Sequence, residues 1–170
     1  MEIVVDRSSL ESVLRESATT VTSLLERLVG ERIDADDCRN VMTSAATTNL
    51  LGVAMGYRLL ERSSVLRGRQ SAEPYVYAES LLAPDRLPQG FCRRLETSGD
   101  PIGRVLVDEG IDFSRTPLPC GQRDDLSLIH NSAPPDDCLL ARRYRIEVDG
   151  LPVIVIAEWF LPALERFFPS

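Results

Sequence analysis

The chain has 170 residues, 44% hydrophobic and 26% charged, which suits one folding domain over residues 1–170 with a core large enough to hold a few buried polar groups. The net charge of −7 argues against a nucleic-acid partner, which needs a basic surface. No apolar run is long enough to cross a bilayer.

The N-terminus, MEIVVDRSSLE, lacks the basic start and apolar stretch of a signal peptide, so the expected compartment is the cytoplasm. Ser8-Ser9-Leu10-Glu11 resembles a capping box and predicts a first helix from about Ser9 to Glu16. In TTVTSLLERLVG, the helical spacing of Val21, Leu24, Leu25 and Leu28 predicts a second helix, stopped by Gly30. ERIDADD reads as a short edge strand. Residues 39–49, rich in Thr, Ala and Ser, fit helix or loop equally well.

GYRLLERSSVLRG and PYVYAESLLAP read as two strands joined by a turn at RQSAE. LPQGFCRRLE and DPIGRVLVDEG read as helices, the second with Pro101 in its first turn. Ser114 to Asp137 holds several prolines and no sustained period, and is expected to be irregular, either a functional lid or an inert loop. The chain closes with a hairpin, CLLARRYRIEV and LPVIVIAEWF, around Asp149-Gly150. Strands arranged as hairpins with interspersed helices predict the α+β class with an antiparallel sheet.

Cys38, Cys92, Cys120 and Cys138 show no CxxC spacing, and His130 is the single histidine. A metal site is therefore not expected, and the cysteines read as free thiols. His130, in the irregular segment, reads as a surface or flap residue.

Three charged residues sit on apolar strand faces. Glu158 shares its side with Ile154, Ile156 and Phe160, Arg62 with Leu60 and Leu66, and Arg142 with Leu140, Tyr144 and Ile146. One reading is a structural ion pair between Glu158 and Arg62 or Arg142, worth little net stability. The other is a pocket for a cyclic carboxylate, with an arginine gripping the anion and a carboxyl group handling a proton.

Three stretches, in this order and spacing, resemble the chorismate lyase (chorismate pyruvate-lyase) family: LLERSSVLRGRQSAEPYVYAESLLAPDRLP, DPIGRVLVDEGIDFSR and ARRYRIEVDGLPVIVIAEWFLP. The resemblance runs from about residue 18 to residue 163 and is closer to the actinobacterial and archaeal branch. In AESLLAPDRLP, Glu79 stands where the ubiquinone-type enzymes usually have an arginine.

The resemblance implies a single α+β domain with an antiparallel sheet and a buried pocket covered by flaps. It implies cleavage of chorismate to 4-hydroxybenzoate and pyruvate without metal or organic cofactor, supplying a quinone, glycolipid or specialised metabolite. The family arginine that grips the ring carboxylate falls on Arg62, and the glutamate near the ring hydroxyl on Glu158. The PLG stretch beside the ring is PIG here, giving Ile102 and Gly103 as lining, and a ring-contacting position in the early helix falls on Val21.

Strand geometry makes Arg142 the candidate for the enolpyruvyl carboxylate. Glu158, held protonated by an apolar face, would donate to the departing ether oxygen. The product is expected to bind tightly. Two alternatives stand beside this reading: a same-fold enzyme acting on a chorismate analogue, and a non-catalytic aromatic-acid sensor like the effector domains of some bacterial regulators. About twenty non-basic residues precede the resemblance, which weighs against a preceding DNA-binding module.

Overall fold

The computed structural model describes residues 7–16, 19–119, 127–129 and 132–168. Cys120 and His130 lie outside them.

The Asp149-Gly150 turn forms as its sequence demands. Both residues have positive φ, 52° and 78°, as a two-residue type I′ connection requires. It joins β5 (Leu140–Val148) to β6 (Leu151–Phe160). Outward from β6 the sheet adds β3 (Pro74–Leu82), β2 (Arg58–Gly68) and β1 (Ile33–Ser44), and β5 is flanked by β4 (Ser114–Pro117). The order is β1-β2-β3-β6-β5-β4, with every pair antiparallel.

Two elements depart from expectation. β1 runs on to Ser44 instead of stopping after the ERIDADD stretch. Its register breaks between Asp36 and Arg39, where Asp37 takes a φ of 51°; this bulge interrupts the alternation that marks a strand. β4 lies inside the segment expected to be irregular, and pairing with β5 stabilises it where its own composition would not.

Helices α1 (Arg7–Glu16), α2 (Val21–Val29), α3 (Phe91–Thr97) and α4 (Ile102–Asp108) complete the described elements, with short 3-10 turns at Pro84–Arg86 and Pro162–Phe167. Thr20 caps α2, its Oγ1 accepting from the Ser23 amide, and Gly30 ends it with a φ of 75°. Pro101 stands at the N-cap of α4, one position before its first turn. Among the described residues no helix is long and apolar enough to cross a membrane.

The register sorts one sheet face into cross-strand rows. Leu66, Val76, Phe160 and Leu140 form an apolar row, and Leu60, Leu82, Ile154 and Ile146 another. Between them lie two mixed rows, Ser64-Ala78-Glu158-Arg142 and Arg62-Ser80-Ile156-Tyr144. The first apolar row packs with Leu10, Leu14 and Leu25 from α1 and α2. The second packs with Phe91, Leu95, Val105 and Leu106 from α3 and α4. Two apolar clusters therefore brace a polar belt at the middle of the sheet.

The opposite face of β6 is also covered. Val155 packs with Leu51 and Val53, and Trp159 with Tyr77 and Leu128. Behind the sheet, Glu79 is fully buried and accepts from Tyr77 Oη (2.9 Å), Ser127 Oγ (2.8 Å) and the amides of Leu128 (2.9 Å) and Ile129 (3.3 Å). This carboxylate fastens Ser127–Ile129 to the back of the sheet.

Candidate functional site

A cavity lies over the polar belt. Its floor is sheet, including Ser64, Ser80, Tyr144 and Glu158, and its roof comes from the first turns of α2 and α4. With its mouth it encloses about 500 Å³ of empty space. Val21, Ile102, Gly103 and Glu158, four residues picked out from sequence, all stand on its wall.

Glu158 is 1% exposed, and its surroundings are less apolar than its strand pattern suggested. Its Oε2 accepts from Arg142 Nε at 2.7 Å and its Oε1 from Tyr144 Oη at 2.7 Å. Each carboxylate oxygen keeps a second lone pair, so the group can still accept from a ligand. Tyr144 is held well above the ordinary tyrosine pKa, first by burial and then by the Glu158 charge. It is a neutral donor. Both carboxylate oxygens therefore meet hydrogen-bond donors, where the strand pattern predicted an apolar face.

Arg142 is therefore the ion-pair partner of Glu158, and Arg62 is not. Register explains the choice. Arg142 stands directly opposite Glu158, whereas Arg62 is on β2, two strands from β6, roughly 10 Å away by strand spacing. Arg142 is not among the cavity-lining residues; its guanidinium lies 4.8 Å from the Tyr144 ring and 5.5 Å from that of Phe160, and its Nη2 is buried without a hydrogen-bond partner.

Arg62 also stands off the wall, but its neighbours in both directions, Ser64 along the strand and Ser80 across it, are lining residues. It is 1% exposed. Its Nη1 donates to Asn40 Oδ1 (3.1 Å) and the Leu95 carbonyl (2.8 Å), and its Nη2 to Cys38 Sγ (3.4 Å) and the Asp100 carbonyl (3.2 Å). Its Nε is buried without a partner. Burial lowers its pKa, nearby cysteines offset part of that, and no carboxylate contributes. A guanidinium this deeply buried normally has an anion beside it.

The roof is fastened tightly. A methyl group on Gly103 would come within 2.8 Å of Thr20 Cβ and 2.9 Å of Thr22 Oγ1, so only glycine lets α4 approach α2 this closely. Arg104, one residue on, reaches Glu26 (2.6 Å), Asp34 (3.4 Å) and Asp100 (3.2 Å), and also the carbonyl of Ile33. Arg94 holds the other Asp100 oxygen at 3.1 Å. Asp100 thus joins the roof to Arg62 through its carbonyl and to Arg94 and Arg104 through its side chain.

The sequence reading missed Arg115. It lies on β4, within the segment taken as irregular, yet it lines the cavity, 6.0 Å from the Tyr144 ring. Its signals were the partial alternation of FSRTPL and its place at the end of the family-resembling stretch DPIGRVLVDEGIDFSR. Cys38, Cys92 and Cys138 are free thiols. Among the described residues no group of three or more His, Cys, Asp or Glu side chains could hold a metal ion.

Residues 13–168 match the family described as Chorismate pyruvate-lyase Rv2949c-like. The chain belongs to this family. A Mycobacterium tuberculosis relative named chorismate pyruvate-lyase is 34% identical over 114 residues, covering 66% of this chain and 57% of its own length. The chain thus spans little more than half of that relative. A Mycobacterium leprae relative of the same name is 29% identical, covering 88% of this chain and 73% of its own. Among solved structures, PhnF from Mycobacterium smegmatis superposes with a TM-score of 0.49 at 12% identity, covering 87% of this chain and 66% of its own.

Proposed function

We propose that this chain eliminates pyruvate from chorismate to leave 4-hydroxybenzoate, as one domain over residues 1–170, in the cytoplasm and without metal or organic cofactor. The observation that carries the reading is Arg62: a buried guanidinium with neutral partners only and a spare Nε, beside the cavity. A ring carboxylate bound there would supply the missing anion.

Chorismate carries its enolpyruvyl ether next to a hydroxyl-bearing ring carbon. The C–O bond to the enolpyruvyl group breaks and that neighbouring carbon loses its proton, which makes the ring aromatic. The departing enolpyruvate takes a proton on its methylene carbon and becomes pyruvate, so atoms and protons balance. Aromatisation drives the step; the protein has to hold the substrate, exclude water and supply a proton acceptor. Glu158 is the carboxylate on the wall. In this reading it accepts the ring hydroxyl's hydrogen bond and takes the ring proton. Tyr144, which keeps its own proton, and Arg142 hold it in place. Val21, Ile102 and Gly103 close over the ring.

The test is to mix the purified protein with chorismate and a chelator, following 4-hydroxybenzoate and pyruvate separately. Both should form in equal amounts, and Arg62→Met should abolish the reaction and weaken product binding. No product, with 4-hydroxybenzoate still stabilising the protein against heat, would replace the lyase by an aromatic-acid sensor.

A further inference from the structure

The elimination needs two proton transfers, one off the ring and one onto the methylene carbon of the leaving group. Glu158 accounts for the first. The donor for the second has to stand on the cavity wall, part with a proton and regain it. Ser64 shares the cross-strand row of Glu158, but Ala78 stands between them, roughly 10 Å apart at the backbone by strand spacing. An aliphatic hydroxyl is also a far weaker acid than a phenol. Tyr144 meets the requirement. It is on the wall, 6% exposed, and its Oη already donates to Glu158 Oε1 at 2.7 Å.

The surroundings of Tyr144 favour release of its proton at one moment only. Before reaction, burial and the Glu158 charge keep the phenol neutral. Once Glu158 has taken the ring proton, that negative charge is gone. The guanidinium groups of Arg142 and Arg115 remain, 4.8 Å and 6.0 Å from the Tyr144 ring, and both favour a phenolate. Arrival of one proton on Glu158 therefore frees the next from Tyr144.

We infer that Tyr144 is a second catalytic residue, protonating the methylene carbon of the departing enolpyruvate and recovering its proton from Glu158. The inference rests on the lyase reading. The electrons balance as follows. The ring C–H pair enters the aromatic ring as Glu158 takes the proton, and the C–O pair leaves on the enolpyruvyl oxygen. That oxygen forms the ketone C=O, and the enol double-bond pair takes the Tyr144 proton. The tyrosinate then recovers a proton from Glu158. One proton has moved from ring carbon to methylene carbon, and both side chains end as they began.

The experiment is a single turnover of unlabelled chorismate by excess protein equilibrated in D2O. Pyruvate is trapped at once by reduction to lactate, so that its methyl group cannot exchange, and 4-hydroxybenzoate is followed separately. The wild type should place one solvent deuterium in the methyl group, because Tyr144 enters the reaction deuterated, and pyruvate should appear in step with 4-hydroxybenzoate. Tyr144→Phe, which keeps the ring, should slow turnover about 10²- to 10⁴-fold and still bind 4-hydroxybenzoate. Its pyruvate should lag behind the aromatic acid, because enolpyruvate then leaves to be protonated in water. No deuterium in the wild-type methyl group would mean that the ring hydrogen passes straight to the methylene carbon, and would overturn the relay. A lag in the wild type, or a Tyr144→Phe variant with wild-type rate and no lag, would also overturn it. The wild-type arm stands on its own if the variant does not fold. A wild type that forms no 4-hydroxybenzoate defeats the lyase reading and the relay with it, whereas turnover with any of the other contrary results defeats the relay alone.

Discussion

Arg142 and Glu158 face each other across the β5–β6 pair and are joined at 2.7 Å between Nε and Oε2. Removing one partner leaves the other charge buried and unpaired. Arg142→Met is therefore expected to cost about 3–5 kcal/mol of stability, read from urea unfolding. The double variant Arg142→Met/Glu158→Gln should regain most of it. A double variant no more stable than the single one would mean that the pair itself matters little.

Glu158→Gln tests the chemistry separately. The amide keeps the shape and loses the basicity, so turnover of chorismate should fall about 10²- to 10⁴-fold while 4-hydroxybenzoate affinity changes far less. Equal losses in both would make Glu158 a binding group only.

Gly103→Ala should push α4 off α2, because its methyl group meets Thr20 Cβ at 2.8 Å. Crowding of this kind costs about 1–3 kcal/mol. The cavity lies under that contact, so product affinity should fall along with the melting temperature. Unchanged affinity would show that the roof adjusts elsewhere.

Acid should loosen the roof. Hydrogen bonds from Arg69 hold the Asp34 carboxyl below its ordinary value of 3.8. Burial alone would raise Asp100, but hydrogen bonds from Ser98, Arg104 and Arg94 outweigh it and leave it lowered too. With the folded pKa below the unfolded one, the unfolded chain takes up protons first as the pH falls. The stabilisation is complete above 3.8 and is lost as the pH drops through the lowered values. Urea midpoints between about pH 6 and pH 2.5 should trace this, with a shallower decline in Asp100→Asn. An identical decline in that variant would remove Asp100 from the account.

Glu79→Ala would strip an acceptor from two amides and two hydroxyls behind the sheet. We expect a cost of about 2–4 kcal/mol and much faster hydrogen exchange at Leu128 and Ile129. Because Glu79 lies on the face away from the cavity, 4-hydroxybenzoate binding should hold within about 3-fold. A large loss of binding would show that the back of the sheet shapes the front.

Where local chemistry decides structure, the sequence was readable. The Asp149-Gly150 turn, the Gly30 stop of α2 and the two hairpin-forming strand pairs follow from turn and cap preferences. The wall residues Val21, Ile102, Gly103 and Glu158 followed from family resemblance together with strand alternation. What was not legible depended on register and on pairing between distant segments. Whether Glu158 would meet Arg62 or Arg142 turns on the strand order, which no single strand encodes. The continuation of β1 past Arg39 was hidden by its bulge, and Arg115 by the weak β signal of a strand only four residues long. The accepting environment of Glu158 needed Tyr144 Oη, whose direction depends on the register of β5 against β6.

Trp159 is the chain's single tryptophan, buried on the back of β6 with its ring 5.4 Å from that of Tyr77. It adjoins Glu158 in sequence yet points to the other side of the sheet. The protein thus has a built-in optical gauge for the strand that bears Glu158. A ligand in the cavity is screened from the indole by a layer of backbone and cannot quench it by contact. Any change in its emission when an aromatic acid enters would report a displacement transmitted through the sheet.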